Sequence, residues 1–118
     1  MKRILVVDDD TDILNVVKLV LSQHDFKVKT TSRWQLISKT IKTFIPDLIL
    51  MDIDLGGADG GDLCKKLKQS KEGHMIPVIL FSIHYMPEEY LKECDAQGFL
   101  AKPFESTNLL QIIRHNLN

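Results

Sequence analysis

The sequence predicts an α/β domain built on a doubly wound, five-stranded parallel sheet with helices on both faces. Three short, almost continuous apolar runs, at residues 4–7, 47–52 and 76–82, lie between charged or turn-forming residues. Such runs are typical of strands that are buried on both faces, as in parallel sheets. Amphipathic helical patterns separate these runs, and the alternation of strand and helix favours the doubly wound class.

The composition is that of a single globular domain, which we place at residues 1–118. Charged residues make up 26% of the chain, and the formal net charge of -1 gives no support to a nucleic-acid-binding surface. No signal peptide is recognisable and no apolar run approaches the ~20 residues of a membrane helix, so we expect a cytoplasmic protein with no membrane partner. Cys64 and Cys94 lie in helical patterns and are expected to be buried free thiols.

Five strands are expected, and their composition sets their order in the sheet. They lie at residues 4–7, 26–31, 47–52, 76–82 and 99–101. The first, third and fourth are uniformly apolar and belong in the centre. The second alternates polar and apolar residues and the fifth is short, so both belong at the edges. The predicted order is therefore 2-1-3-4-5.

Apolar residues at helical spacing after each strand predict five helices. The expected starts are Asp10 or Thr11, Ser32 or Arg33, Asp59, Pro87, and Ser106 or Thr107. Capping side chains accept hydrogen bonds from the first turn of a helix, and proline is tolerated there because that turn has unpaired N–H groups. Pro46 and Gly98 mark the ends of the second and fourth helices.

Polar residues follow four of these strands at the point where each ends: Asp8, Asp9, Asp52, Ser82 and Lys102. The carboxyl ends of parallel strands share one edge of the sheet, where sites are built in this fold class. Two carboxylates ~4 Å apart repel by ~4 kcal/mol at an effective dielectric constant of 20, so the cluster needs a cation. Oxygen ligands of this charge suit Mg²⁺. A carboxylate beside a metal, a lysine and a hydroxyl is equipped for nucleophilic attack on phosphorus.

Five motifs resemble the receiver domain of two-component response regulators, a flavodoxin-like (βα)5 fold. They are Val6-Val7-Asp8-Asp9, Leu50-Met51-Asp52, Asp59-Gly60, Phe81-Ser82 and Gly98-Phe99-Leu100-Ala101-Lys102-Pro103-Phe104. Their order and spacing extend from the first strand to the last helix. The resemblance therefore covers the whole chain.

The resemblance implies that Asp52 is the phosphoacceptor. It also implies that Asp9 and Asp52 bind Mg²⁺ directly, that Asp8 acts through water, and that the main-chain carbonyl of Asp54 is a further ligand. These assignments are expectations carried over from the family onto the matching positions of this chain.

The resemblance further implies a switch next to the acceptor. Ser82 is expected to turn its hydroxyl toward the phosphoryl group, and Phe99 to change rotamer with it. Lys102 is expected to bind the phosphoryl group, and the Lys102-Pro103 bond is similar to one that is cis in the family.

The implied function is that of a phosphorelay component. The domain would accept a phosphoryl group from a sensor histidine kinase or a histidine phosphotransfer protein, and would catalyse only its own phosphorylation and dephosphorylation. Partners downstream, an effector or a second copy, would bind the surface formed by the fourth helix, fifth strand and fifth helix. We expect no direct contact with nucleic acid.

Three features depart from the family pattern: the glycine-rich Leu55-Gly56-Gly57, the additional acid Asp54, and Ile83 directly after the switch serine. Ile83 either restricts access to the phosphoryl site or points into the core. Two alternative functions remain open at this point. One is a pseudo-receiver that docks partners without phosphorylation, and the other is a haloacid-dehalogenase-type phosphatase that uses Asp52-Ile53-Asp54.

Overall fold

A computed structural model describes residues 1–117. They contain one five-stranded parallel sheet in the order β2-β1-β3-β4-β5. The strands are β1 (Lys2–Val7), β2 (Phe26–Thr31), β3 (Leu48–Asp52), β4 (Val78–Ser82) and β5 (Gly98–Ala101). The helices are α1 (Thr11–Ser22), α2 (Ile37–Phe44), α3 (Gly60–Lys68), α4 (Glu88–Cys94) and α5 (Ser106–Asn116). The predicted fold class and strand order are confirmed.

The sheet separates two apolar cores because alternate side chains of a strand point to opposite faces. In β1, Ile4 and Val6 pack under α1 and α5, whereas Leu5 and Val7 pack under α2, α3 and α4. All four side chains are fully buried, as are the central residues of β3 and β4. The uniformly apolar strands are thus the central ones, and the polar residues that follow them emerge at a rigid edge.

Two predicted helix caps are confirmed and one is wrong. The side chains of Asp10 and Asp59 accept hydrogen bonds from the first turns of α1 and α3. At α5 the capping position belongs to Glu105, which has an extended backbone and makes no side-chain cap bond. Ser106 and Thr107 already have helical backbone there, so neither can act as the cap.

The starts of α2 and α4 differ slightly from prediction. The predicted start at residues 32–33 leads into a 3₁₀ turn at Trp34–Leu36, and α2 itself begins at Ile37. Apolar spacing cannot distinguish a single 3₁₀ turn from the first turn of an α-helix. Pro87 precedes α4 with an extended backbone instead of lying in its first turn.

The end of α2 carries a backbone conformation that is unfavourable for its residue. Ile45 has φ of 53° and ψ of 66°, in the left-handed region, and its side chain is 70% exposed. β-branched residues rarely adopt this conformation because Cβ crowds the following carbonyl oxygen. The strain has no compensating burial of the side chain.

Cys64 and Cys94 are buried free thiols, as predicted. Among residues 1–117, no helix has the length and apolar character that crossing a membrane requires.

Candidate functional site

Three carboxylates meet at the carboxyl ends of β1 and β3. Asp8, Asp9 and Asp52 each offer an oxygen, and these oxygens lie within 4.8 Å of one another. The two strands are neighbours in register, with Val7 paired to Met51, so the residues that follow them come together. Asp8 is fully buried, Asp52 is 6% exposed and Asp9 is exposed. The cluster therefore opens to solvent on the Asp9 side.

Lys102 reaches this cluster from the edge strand β5. Its Nζ donates to Oδ2 of Asp8 at 2.7 Å and to Oδ2 of Asp52 at 3.0 Å. The same ammonium lies over the face of the Phe81 ring, 4.4 Å from its centre. The peptide bond between Lys102 and Pro103 is cis, as the family resemblance implied.

Burial and like charge set the protonation of the cluster. Burial raises the pKa of Asp8, although the hydrogen bond from Lys102 opposes this. Burial also raises the pKa of Asp9, and the charges of Asp8 and Asp54 add to the effect. For Lys102 burial acts to lower the pKa, but hydrogen bonds to Asp8 and Asp52 outweigh it and leave the pKa raised. The site holds one firmly charged ammonium and carboxylates whose ionised forms repel one another.

The loop after β3 holds the second oxygen of the Asp52 carboxylate. The backbone N–H of Asp54 donates to Oδ1 of Asp52 at 3.1 Å. The loop is closed by a bridge between Asp54 and Asp59 and by the hydrogen bond from Gly60 N to the Ile53 carbonyl at 2.6 Å. A Cβ on Gly60 would overlap the main-chain carbonyl of Asp52. Glycine is therefore required where α3 approaches the acceptor.

Two further glycines lie in this loop, one beside the carboxylate cluster and one near Trp34 in the 3₁₀ turn before α2. Gly56 has φ of 71°, and a Cβ there would lie 3.2 Å from Oδ2 of Asp9. A Cβ on Gly57 would lie 3.5 Å from Nε1 of Trp34. In this glycine-rich segment, a departure from the family pattern, Gly56 is required by its backbone and by the nearby carboxylate, whereas Gly57 lies near the indole with room for a Cβ.

Ser82 and Phe99 lie on neighbouring strands, Ser82 at the carboxyl end of β4 and Phe99 opposite Leu80, two residues before it. Ser82 follows Phe81, the register partner of Asp52, and its Oγ accepts a hydrogen bond from His84 N at 3.0 Å. Phe99 is half-buried and packs into the core under α2, α3 and α4. The two predicted switch residues therefore occupy the positions that the strand pattern assigned to them, while their switching role stays a prediction.

Ile83 points to solvent. Its side chain is 73% exposed, directly after the buried Ser82. The alternative in which Ile83 fills the core is wrong, because β4 ends at Ser82 and the chain has left the sheet at Ile83, where no helix covers the side chain. The proposal that it restricts access to the site stays a prediction.

One contact near the site was missed by sequence reasoning. The Tyr90 hydroxyl on α4 donates to Oδ1 of Asp59, the cap of α3, at 3.1 Å. In the sequence Tyr90 is only one of the apolar positions of a short helix. The one available signal was the Gly60-Gly61 pair in the first turn of α3, since helices rarely begin with two glycines.

Comparison with known sequences places the chain in a family. A family model described as the response regulator receiver domain matches residues 4–114. The alkaline phosphatase synthesis transcriptional regulatory protein PhoP of Bacillus subtilis is 35% identical over 107 residues, which are 87% of this chain and 43% of that protein. The phosphate regulon transcriptional regulatory protein PhoB of Escherichia coli is 30% identical over 115 residues, 96% of this chain and 50% of that protein. The chain spans about half the length of these curated relatives.

Solved structures show the same fold. The chemotaxis protein CheY4 of Vibrio cholerae superposes with a TM-score of 0.93 over 99% of each chain, at 24% identity. A CheY-like receiver domain protein from Methanospirillum hungatei gives a TM-score of 0.87 at 27% identity, over 98% of this chain and 92% of that one. The family model and the Bacillus subtilis relative favour the receiver-domain hypothesis over the dehalogenase-type phosphatase. The chain belongs to the response regulator receiver domain family.

Proposed function

We propose that this receiver domain accepts a phosphoryl group on Asp52 from a sensor histidine kinase or a histidine phosphotransfer protein. The observation that carries the proposal is the setting of the Asp52 carboxylate. Oδ2 lies 3.0 Å from the Lys102 ammonium, and Oδ1 is held by the N–H of Asp54. In the transfer a carboxylate oxygen attacks phosphorus in line, so that an O–P bond forms while the N–P bond of the donor breaks.

The donor set fits Mg²⁺. Asp8, Asp9 and Asp52 offer carboxylate oxygens in one cluster, and this cation prefers such ligands. These three residues, with the main-chain carbonyl of Asp54, would hold the ion. When bound, Mg²⁺ neutralises charge on the carboxylates and on the oxygens of the incoming phosphoryl group.

Lys102 supplies the positive charge that the chain itself contributes. Its pKa is raised, so the ammonium stays protonated throughout the physiological range. The hydrogen bond to Asp52 places that charge next to the attacking oxygen, where it stabilises the developing charge of the transferred group. The hydrogen bond to Asp8 fixes the ammonium in this position.

The response to phosphorylation starts at Ser82. Its Oγ accepts the hydrogen bond from His84 N, so the hydroxyl hydrogen is available to donate to the phosphoryl group when the side chain turns toward it. This movement vacates space that Phe99 can fill, and the surface of α4, β5 and α5 changes with it. The result is a population shift between two packed states. A downstream effector or a second copy of the chain would recognise the changed surface.

Phosphorylation by acetyl phosphate tests the proposal. With Mg²⁺ the wild type should gain one phosphoryl group, stable in acid and labile in base, which intact-mass measurement detects. Asp52→Asn should gain none. Asp54→Asn is the matched control: it retains the main-chain carbonyl and should still be phosphorylated. A wild type that takes up no phosphoryl group would favour the pseudo-receiver alternative.

The cognate donor follows from a second measurement. A phosphotransfer profile against the histidine kinases of the source organism should show one kinase that transfers far faster than the others. Equal and slow transfer from every kinase would contradict a role as the direct target of a kinase.

A further inference from the structure

The contact between Tyr90 and Asp59 joins α4 to the first turn of α3. Oδ1 of Asp59 accepts three hydrogen bonds, from Gly61 N at 2.7 Å, from Asp62 N at 3.3 Å and from the Tyr90 hydroxyl at 3.1 Å. The first two are the ordinary capping bonds of a helix. The third comes from a different helix, so one carboxylate oxygen connects the two.

The position of the Tyr90 hydroxyl depends on the absence of a side chain at Gly61. A Cβ on Gly61 would overlap the hydroxyl and would lie 2.9 Å from Sγ of Cys94. Glycine at this position thus opens the space in which the hydroxyl sits over the start of α3. Almost any other residue at this position would increase the helix propensity of α3, but its side chain would occupy the space that the Tyr90 hydroxyl fills.

Asp59 is also connected to the acceptor. Its backbone pairs with Asp54 in an isolated bridge, and the N–H of Asp54 donates to Oδ1 of Asp52. The hydrogen bond from Gly60 N to Ile53 O closes the same loop. A continuous series of short contacts therefore runs from the Asp52 carboxylate to the Tyr90 side chain. It does not include Ser82 or Phe99.

We propose that Tyr90 is a positioning residue which couples the state of the Asp52 site to the position of α4 through Asp59. This coupling rests on the proposed phosphoacceptor function and operates beside the Ser82 and Phe99 switch. Anything bound at Asp52 that shifts the loop at residues 53–59 strains or relaxes the hydrogen bond to Tyr90. By thermodynamic linkage, the position of α4 then alters the affinity of the Asp52 site by the same factor.

The Tyr90 hydroxyl remains a donor under all physiological conditions. Burial raises its pKa well above the usual value, and the negative charge of Asp59, which accepts the hydrogen bond, adds to the shift.

The test compares Tyr90→Phe with Tyr85→Phe by NMR, using beryllofluoride with Mg²⁺ as the probe of the Asp52 site. Tyr85 is 84% exposed, so its substitution removes a hydroxyl of the same kind without the contact. In the wild type and in Tyr85→Phe, the probe should shift the amide resonances of Glu88–Cys94. In Tyr90→Phe these shifts should fall by at least half, and the affinity for the probe should change at least twofold.

Two further variants separate coupling from simple loss of stability. Asp59→Asn retains both the cap and the acceptor oxygen, so it should respond as the wild type does. Gly61→Ala displaces the hydroxyl while favouring the helix, so it should show the same loss as Tyr90→Phe and replaces that variant if the latter does not fold. Melting temperatures are measured for all of them.

The outcomes distinguish this inference from the function on which it rests. If Tyr90→Phe changes only the melting temperature and leaves the α4 shifts and the affinity as in the wild type, the coupling is refuted. If the wild type shows no change at Asp52 with the probe, the proposed function fails and the inference fails with it. Loss of the α4 response in both Tyr90→Phe and Tyr85→Phe would also overturn the assignment to the Asp59 contact.

Discussion

The ammonium of Lys102 lies 2.7 Å from Oδ2 of Asp8, although 94 positions separate the two residues in sequence. The strands that carry them are not neighbours, since β3 and β4 lie between β1 and β5. The side chain of Lys102 therefore spans the carboxyl edge of the sheet and ties its last strand to its first. Asp8 is fully buried, so the pair is shielded from solvent.

Loss of this pair should destabilise the domain. Lys102→Met keeps the length of the side chain but leaves the buried Asp8 carboxylate beside Asp52 without its cation. Breaking a buried pair from one side costs about 3–5 kcal/mol, so we expect a fall of ~10 °C or more in the melting temperature without Mg²⁺. Lys92→Met, which removes an exposed pair with Glu88 at 3.8 Å, should change it little. Equal effects of the two substitutions would contradict the structural role of Lys102.

Mg²⁺ should stabilise the unphosphorylated domain. It binds the folded carboxylate cluster and not the unfolded chain, so millimolar Mg²⁺ should raise the melting temperature of the wild type by a few degrees. Asp9→Ala should lose this response. Asp12→Asn, at an exposed acid in the first turn of α1, should retain it. A shift in Asp9→Ala equal to that of the wild type would contradict the metal site.

Neutralising Asp9 should stabilise the metal-free domain in a pH-dependent way. The folded-state pKa of Asp9 is raised above its unfolded value of 3.8, so the contribution of this carboxyl is favourable below that pH and is lost as the pH rises through the folded pKa. Asp9→Asn should therefore raise the melting temperature by a few degrees at pH 7, and the gain should shrink toward pH 4. A gain that stays constant with pH would contradict the electrostatic explanation.

Ile83 should slow phosphoryl chemistry in both directions. In-line attack needs reacting atoms near 3–3.5 Å apart, and a misplacement of about 1 Å can cost about a hundredfold in rate. Ile83→Ala should therefore speed phosphorylation by acetyl phosphate severalfold and shorten the lifetime of the phosphorylated form. Because the side chain is 73% exposed, stability should change by no more than ~0.5 kcal/mol. Met75→Ala, at a residue that is 79% exposed, is the control. Wild-type rates in Ile83→Ala would refute the prediction that Ile83 restricts access to the phosphoryl site.

Relief of the strain at Ile45 should stabilise the domain. Ile45→Gly removes the Cβ that crowds the left-handed backbone and sacrifices no buried side chain, so we expect a gain of about 1 kcal/mol in the free energy of unfolding. Asp95 has φ of 58°, but aspartate tolerates this region, so Asp95→Gly should gain less. Urea unfolding measures both. A loss of stability in Ile45→Gly would contradict the strain.

The order of the sheet could be predicted because the polar and apolar residues of each strand indicate how many of its faces are buried. The runs before Asp8 and Asp52 have no polar residue on either face, and only a central strand of a parallel sheet is buried in that way. The site followed from the same reasoning, since Asp8, Asp52 and Lys102 lie where strands end. Chain direction and strand order were sufficient to bring them together.

Details that depend on contacts between helices could not be predicted. The predicted cap of α5 is wrong because the helix already begins at Ser106, and the stacking of Phe104 on Phe81 just before it, with ring centres 6.2 Å apart, leaves no trace in the sequence pattern. The outward direction of Ile83 depends on where β4 ends, which an apolar run extending beyond Ser82 conceals. The Tyr90 contact depends on empty space at Gly61. Sequence patterns indicate which residues of each element are buried. They do not indicate which side chain of another element fills the space beside a glycine.

The indole of Trp34 lies near Gly57, where a Cβ would be 3.5 Å from Nε1, and this gives the domain an intrinsic fluorescent probe. Trp34 is the single tryptophan of the chain, and its Nε1 faces the loop that follows the acceptor. Movement of that loop should change the polarity around the indole, and therefore the emission wavelength and intensity of its fluorescence. Stopped-flow fluorescence can therefore follow occupation of the site in real time without a dye or a radioactive donor.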